Sequence, residues 1–595
     1  MKLKIAFLPI FFILLSVPLA AQNNAVDITT QVNEPFLDKN GNPLTGKGVV
    51  IGDVDSGIDV FHPMFFFADG DTLIWFDADS DGAFTPGIDG IDFNHDGKIE
   101  KGEVLRYIKM KNHMWGLIDE TNPKGFDPAF DFLYLDKNGN RKRDFGPVAG
   151  FTESDPTYGE QLYTALDANK NGKLDPGEKI VALKTSKIRA VRERDGTVRR
   201  RGVDLIYTEE DSSGHGTGVA GIILGGQDGV QKIYGIAPDA EIVVASVRYN
   251  NTPPFVTTFP DLLNFIRGEK ANILLFEDGE WMWEFMDDSS PTEQLADEMA
   301  REGTTVIGGA GNFATGNMLI IDTLSAGENP VYVSDCPDWV EGRINNGVYY
   351  SFIWKDTLIN LEFSVETPEG DMSPALNSQA NLIRAGKYNI AYARKISPKG
   401  TVMLELGCSR PDSGAIDGKW KIHIKNPDPV IIRGYIVDVS QSWAGHSHWV
   451  SDKITDESSI TFPCTADSCI AVGAYVVNFG WFDKIGDIAS YSSRGYNIDG
   501  KMGIDITAPG HTTFTTEVNN GYGTFSGTSS AAPHVVGTVA LLLQYDPELT
   551  HSQIREIINN SAMTDKFTGT VPNPVWGYGK LDIVSAIKYL MNNYK

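Results

Sequence analysis

Short β-branched runs and longer apolar stretches alternate along this chain. Val49-Val50-Ile51 opens a run that ends at Asp55, the pattern of a strand buried on both faces. Ile242 to Val247, Thr305-Val306-Ile307 and Ile470 to Ala474 read the same way. Val219 to Leu224 is apolar on most sides and predicts a buried helix. Ala531 to Leu543 predicts a longer one, with Pro533 in the first turn, where proline is tolerated. Strands alternating with helices predict an α/β fold, a parallel sheet with helices on both faces. Residues 46–75, 203–318 and 455–595 are assigned to it, after a short N-terminal segment, 22–45.

Two segments break the pattern. In 320–453, runs such as Val348 to Trp354, Leu361 to Val365 and Trp420 to Ile424 alternate between Gly, Pro, Asn and Asp, which predicts an all-β sandwich or jelly roll. Residues 76–202 have few aliphatic runs and repeat an acidic pattern instead. Asp92, Asn94, Asp96, Lys98, Glu100 and Glu103 fall at the ligand positions of a twelve-residue calcium loop, with Gly97 at the sixth and Lys98 offering its carbonyl. Asp167, Asn169, Asn171, Lys173, Asp175 and Glu178 repeat the spacing around Gly172. Two loops are partial. Asp77, Asp79 and Asp81 lead to Gly82, but Ile88 holds the twelfth position. Asp136, Asn138, Asn140 and Asp144 lack both the glycine and the terminal glutamate. No flanking helices are evident, so structural calcium is expected rather than a switch; the alternative is a set of solvated Asx turns.

Three strings carry the candidate chemistry: Asp55-Ser56-Gly57, Gly214-His215-Gly216-Thr217 and Gly527 to Pro533 around Ser529. They supply an acid, an imidazole and a hydroxyl, the parts of an activated nucleophile. Ser529 precedes a helical run, whose positive dipole end favours developing negative charge. These motifs, in this order, resemble the subtilases, the subtilisin-like serine peptidases. Tyr234 to Pro238, Tyr491 to Gly495, Asp505 to Gly510 and Gly577 to Asp582 add to the resemblance.

The resemblance implies that Ser529 attacks, His215 moves the proton and Asp55 orients the ring. Asn312, after Gly308 to Gly311, matches the family's oxyanion donor. Some members carry a jelly-roll insertion where 320–453 lies. Ile273 to Gly279 stands where the family has an Asn-x-Ser-x-Gly segment that binds substrate. Gly279 is kept, but Leu275 and Glu277 replace the Asn and Ser. Glu277, Asp278 and Gly279 are therefore expected at the substrate cleft, the acids favouring Arg or Lys near the cleaved bond. A secreted serine endopeptidase acting on proteins or peptides is the leading expectation. A catalytically silent binding protein on the same fold is the alternative, and a carbohydrate-binding surface protein built on the β segment a third.

The bounds agree. The net charge of −27, from 51 basic and 78 acidic residues in 595, speaks against a nucleic-acid partner. Residues 1–21 read as a signal peptide, with Lys2 and Lys4 before an apolar run. No later run is long and apolar enough to predict a membrane span. The stretch before Gly46 is too short for the folded prodomain that many subtilases carry. The four cysteines suit an exported chain as two disulfides, Cys464 with Cys469 and Cys336 with Cys408, or as buried thiols. Val191 to Arg201 predicts a hairpin around Asp195-Gly196. Its arginines are a solvated balance to nearby acid or a processing site.

Overall fold

The strand β1, Val50–Asp55, is buried at every position, because it lies in the middle of an eight-stranded sheet. The computed structural model describes residues 36–112, 125–207, 211, 213–247, 258–279, 283–376, 380–479 and 482–594; the expected signal peptide lies outside them. In chain order the other strands of this sheet are β2 (Ile188–Arg192), β3 (Val198–Arg200), β4 (Glu241–Ser246), β5 (Ile273–Phe276), β6 (Thr305–Gly309), β7 (Ile470–Val476) and β8 (Ile506–His511). They lie side by side as β8-β7-β6-β5-β1-β4-β2-β3. All pairs are parallel except the β2–β3 hairpin.

Alternation along each strand sends side chains into two cores. Ile51, Ile242, Val244, Ile273, Leu275 and Ile307 meet helices α1 (His215–Leu224) and α4 (Thr528–Tyr545). Val50, Val54, Val243, Leu274 and Val306 meet α2 (Phe259–Gly268) and α3 (Pro291–Arg301) on the opposite face. Thr258 with Asp261 and Ser290 with Glu293 form capping boxes that fix where α2 and α3 begin. The mostly parallel sheet with helices on both faces is as expected.

The β2–β3 hairpin falls where the sequence places one, but it extends the catalytic sheet. Arg199 pairs with Glu193, Arg200 with Glu269 and Arg201 with Glu241. Arg194 donates to the Ser56 carbonyl oxygen at 2.8 Å. These arginines balance nearby acid, one of the two expected roles.

Before the hairpin, five antiparallel strands form their own sheet, in the order Thr72–Ile74, Lys179–Ala182, Leu162–Leu166, Phe132–Leu135, Leu105–Ile108. Trp75, Leu105, Leu133, Leu174 and Ile180 make a small core beneath it. The acidic loops hang from its strand ends.

The second insertion is an all-antiparallel pair of sheets. Six strands, in the order Leu319–Leu324, Val430–Asp438, Gly347–Lys355, Thr401–Ser409, Tyr388–Ile396, Ala380–Ala385, accompany four, in the order Glu362–Glu366, Gly418–Lys425, Val331–Cys336, His448–Val450. Trp354, Trp420, Trp449, Tyr350 and Phe352 are fully buried inside it. This core continues through Met318, Ile460 and Phe462 into that of α2 and α3. Cys336, Cys408, Cys464 and Cys469 are all buried thiols, so the expected disulfides are not formed. The Cys464 and Cys469 sulfurs stand 3.8 Å apart, beyond the roughly 2.05 Å of an S–S bond.

Trp449 is 1% exposed and donates its indole N–H to the Gly434 carbonyl at 3.0 Å. Trp449→Ala is expected to cost about 3–5 kcal/mol, from the lost burial and the cavity left behind. Denaturant unfolding followed by tryptophan emission checks this; a midpoint equal to wild type would contradict the shared core.

Candidate active site

The acid of the first motif sits at the C-terminal end of β1, with no exposed surface. Both its oxygens reach Nδ1 of His215, at 2.8 and 2.9 Å, and Oδ1 also accepts the Ser56 N–H. His215 is the first residue of α1. Gly216 lets that helix approach: a Cβ there would stand 2.0 Å from the Gly57 carbonyl oxygen and 3.2 Å from Asp55 Cγ. No side chain fits at that spacing.

A residue that the sequence reading missed locks this corner. Asp211, 1% exposed, accepts from the Ser56 hydroxyl at 2.8 Å, the Ser213 hydroxyl at 2.9 Å and the Thr217 N–H at 3.0 Å. It thus caps α1 where Gly214 offers no side chain. The Ser56 hydroxyl in turn accepts the Gly216 N–H at 3.0 Å. Burial works against charge on the His215 ring, but Asp55, with Glu277 and Asp211 behind it, outweighs burial and holds its pKa up to about 9.

Ser529 lies in the first turn of α4, half-buried. The turn into that helix needs Gly527, whose φ of +140 belongs to glycine. Asn312, just after β6, accepts the Thr528 N–H through Oδ1 at 2.9 Å, and the Thr528 hydroxyl receives the Gly311 N–H at 3.0 Å. With its oxygen held this way, the Asn312 amino group is turned toward Gly527, 3.4 Å from where a Cβ would stand. A donor N–H thereby faces the turn that carries Ser529.

The segment expected at the substrate cleft divides. Gly279 is exposed and Asp278 half-buried, its carboxyl pushed up to about 7 by burial and by Asp55. Glu277 is 8% exposed. Neither of its oxygens completes a hydrogen bond among the described residues. Burial and the Asp55 charge push it up to about 8, against the pull of His215 and the neighbouring Ser529 hydroxyl.

The four acidic loops share one backbone. Ser80 and Gly82, His95 and Gly97, Gly139 and Arg141, and Lys170 and Gly172 all have positive φ, at the fourth and sixth positions of their loops. In each loop one carboxylate bridges the N–H groups of the second and ninth positions. Glu103 does so from Phe93 and Glu100, at 3.2 and 3.0 Å. Glu178 does so from Ala168 and Asp175, at 2.8 Å each. In the partial loops the carboxylate comes from residues that the spacing did not reveal. Asp89, one residue past Ile88, bridges Ala78 and Thr85 at 2.8 and 2.6 Å. Glu160, from another turn, bridges Lys137 and Asp144 at 2.9 and 3.0 Å.

The carboxylates of Asp77, Asp79 and Asp89 come within 4.8 Å of one another, a cluster able to hold a metal ion. In the 136–144 loop, Asp136 already pairs with Arg106 at 2.5 Å, and Asn138 and Asn140 donate to Asp144. A resident guanidinium supplies positive charge beside Asp136.

The Subtilase family model matches residues 46–259 and 444–579, the two stretches that hold Asp55, His215 and Ser529. Serine protease AprX of Bacillus subtilis is 32% identical over 146 residues, 22% of this chain and 32% of that protein. Subtilisin DY of Bacillus licheniformis is 36% identical over 106 residues, 18% of this chain and 34% of that protein. The chain thus spans about a third of the length of these curated relatives. In fold, the CspB protease of Clostridium perfringens superposes with a TM-score of 0.61 at 16% identity, over 93% of this chain and 96% of that one. With the family model covering more than half of its residues, the chain belongs to the subtilase family.

Proposed function

We propose that this protein is an exported serine endopeptidase that cleaves proteins or peptides through Ser529, His215 and Asp55. The observation that carries the reading is the enclosed Asp55 carboxylate on His215 Nδ1, at 2.8 and 2.9 Å. That contact fixes the tautomer with the proton on Nδ1, leaving Nε2 as the base. His215 takes the Ser529 proton as the hydroxyl oxygen attacks the scissile carbonyl, and later delivers it to the leaving amine. Asp55 stabilises the imidazolium formed between those steps. Asn312 and the Ser529 backbone N–H face the oxyanion, aided by the N-terminus of α4.

In the same reading, calcium occupies the loops at 77–89, 92–103 and 167–178. Their donors are oxygens, and each has a terminal carboxylate in place: Asp89, Glu103 and Glu178. The ion would supply structural cross-linking only, since these loops belong to the inserted sheet and not to the catalytic motifs. The 136–144 loop keeps the shape with Arg106 as its cation.

Ser529→Ala and His215→Ala are each expected to lower kcat by about 10⁶ with the fold intact. Asn312→Ala should cost about 10²–10³ in kcat, as for one lost oxyanion donor. Peptide hydrolysis and labelling with a fluorophosphonate check both; labelling that survives in Ser529→Ala would refute the nucleophile.

Because the base must be neutral to act and His215 is held up to about 9, kcat/KM should climb through the alkaline range. It should fall as pH drops below that value. An acid limb at the ordinary histidine value, about 6.5, would contradict the acidic surroundings described here.

Chelation is expected to lower the melting temperature, since an ion that binds the native loops and not the unfolded chain stabilises the fold. Glu103→Gln, Glu178→Gln and Asp89→Asn should each reproduce part of the shift. Calorimetry with and without EDTA decides; an unchanged transition would mean that the loops are Asx turns alone.

A further inference from the structure

Two buried acids have no role in the mechanism above. Asp53, on β1, has no exposed surface, and Glu277, one residue past β5, has almost none. No oxygen of either carboxyl meets a hydrogen-bond partner among the described residues. Strand pairing explains where they are. Asp53 lies opposite Leu275 and Val54 opposite Phe276, and the Glu277 N–H donates to the Val54 carbonyl at 3.1 Å. Side chains two apart on a strand share a face. Asp53 and Asp55 therefore share one face of the sheet with Leu275 and Glu277, the face that α1 and α4 cover.

We propose that Glu277 is a positioning residue of the catalytic centre, its carboxyl set against the Ser529 hydroxyl and the His215 ring from the strand side. This rests on the serine-peptidase reading and goes beyond it. The groups that act on Glu277 or respond to it are Ser529 from α4, His215 from α1, Asp53 and Asp55 from β1, and Cys464 from the loop before β7, with Asp278 next in the chain. Asp211 acts on the same cluster through Asp53 and His215. Of these only His215 carries positive charge.

A carboxyl enclosed among acids holds its proton more tightly, because burial and the Asp55 charge outweigh the pull of His215. Glu277 is held up to about 8 and His215 to about 9, so the two titrate as a pair. Removing the first proton from the pair leaves two arrangements. Neutral glutamic acid beside neutral imidazole is competent for catalysis. Carboxylate beside imidazolium is not, because the base is already protonated. The second arrangement delays the neutral base to higher pH.

The test compares pH profiles of kcat and KM for wild type, Glu277→Gln and Glu277→Ala, with fluorophosphonate labelling rates measured alongside. Glu277→Gln keeps the shape and removes the titration, so its acid limb should move to lower pH by about one unit. Glu277→Ala removes the titrating carboxyl outright, so its acid limb should move the same way with KM little moved.

Either variant alone carries the result if the other does not fold. Acid limbs that superimpose on wild type would overturn the proposal. So would a change confined to KM, or to preference among side chains at the cleaved bond, since that is the signature of a pocket residue. A wild type that takes no label overturns the peptidase reading and this proposal together. A labelled wild type with unmoved limbs overturns the role of Glu277 alone.

Discussion

A carboxylate taken wholly out of water must be met by donors, and the middle of this molecule is arranged to meet one. Asp55 ends a strand buried on both faces, so its charge depends on the His215 ring and the Ser56 N–H. For His215 to arrive, α1 has to press against the Asp55 turn with a glycine at Gly216, and its first N–H groups have to be satisfied there. Ser56 and Asp211 do that. The central position of β1, the glycines around His215 and the Asp211 cap are all conditions for one ion pair.

The sequence made the reactive centre legible because each of its groups sits in a local pattern. Asp55 closes a β-branched run, His215 lies between glycines before an apolar helix, and Ser529 opens another. Asn312 follows a glycine run after a strand. The residues that were not legible act through pairings between distant segments. Asp211 has no motif of its own. Asp53 read as one more strand residue, and Glu277 as part of a cleft rim. Only the β1–β5 register shows that both acids lie beneath the catalytic groups. Asp89 and Glu160 escaped for the same reason: a loop closed from one position late, or from another turn, keeps its shape and loses its spacing.

The alternating runs of 320–453 gave the antiparallel architecture, since a period of two needs no tertiary information. What joins that region to the sheet was not readable, because Met318, Ile460 and Phe462 look like ordinary apolar residues. The cysteines show the opposite limit. Their sequence allowed bonds or buried thiols, and the fold leaves all four as buried thiols.

The continuity of that core has a bearing on how such a protein is taken apart. An insertion attached by two linkers over a polar surface behaves as a module that can be excised. Here the sandwich shares its interior with the α2 and α3 face of the sheet, while the reactive groups occupy the other face. Cutting it out would strip the cover from Met318 and Phe462 and leave an oily wound on the back of the sheet. The two insertions are therefore unequal as engineering targets: the first has a core of its own, and the second is part of the wall on which the machinery stands.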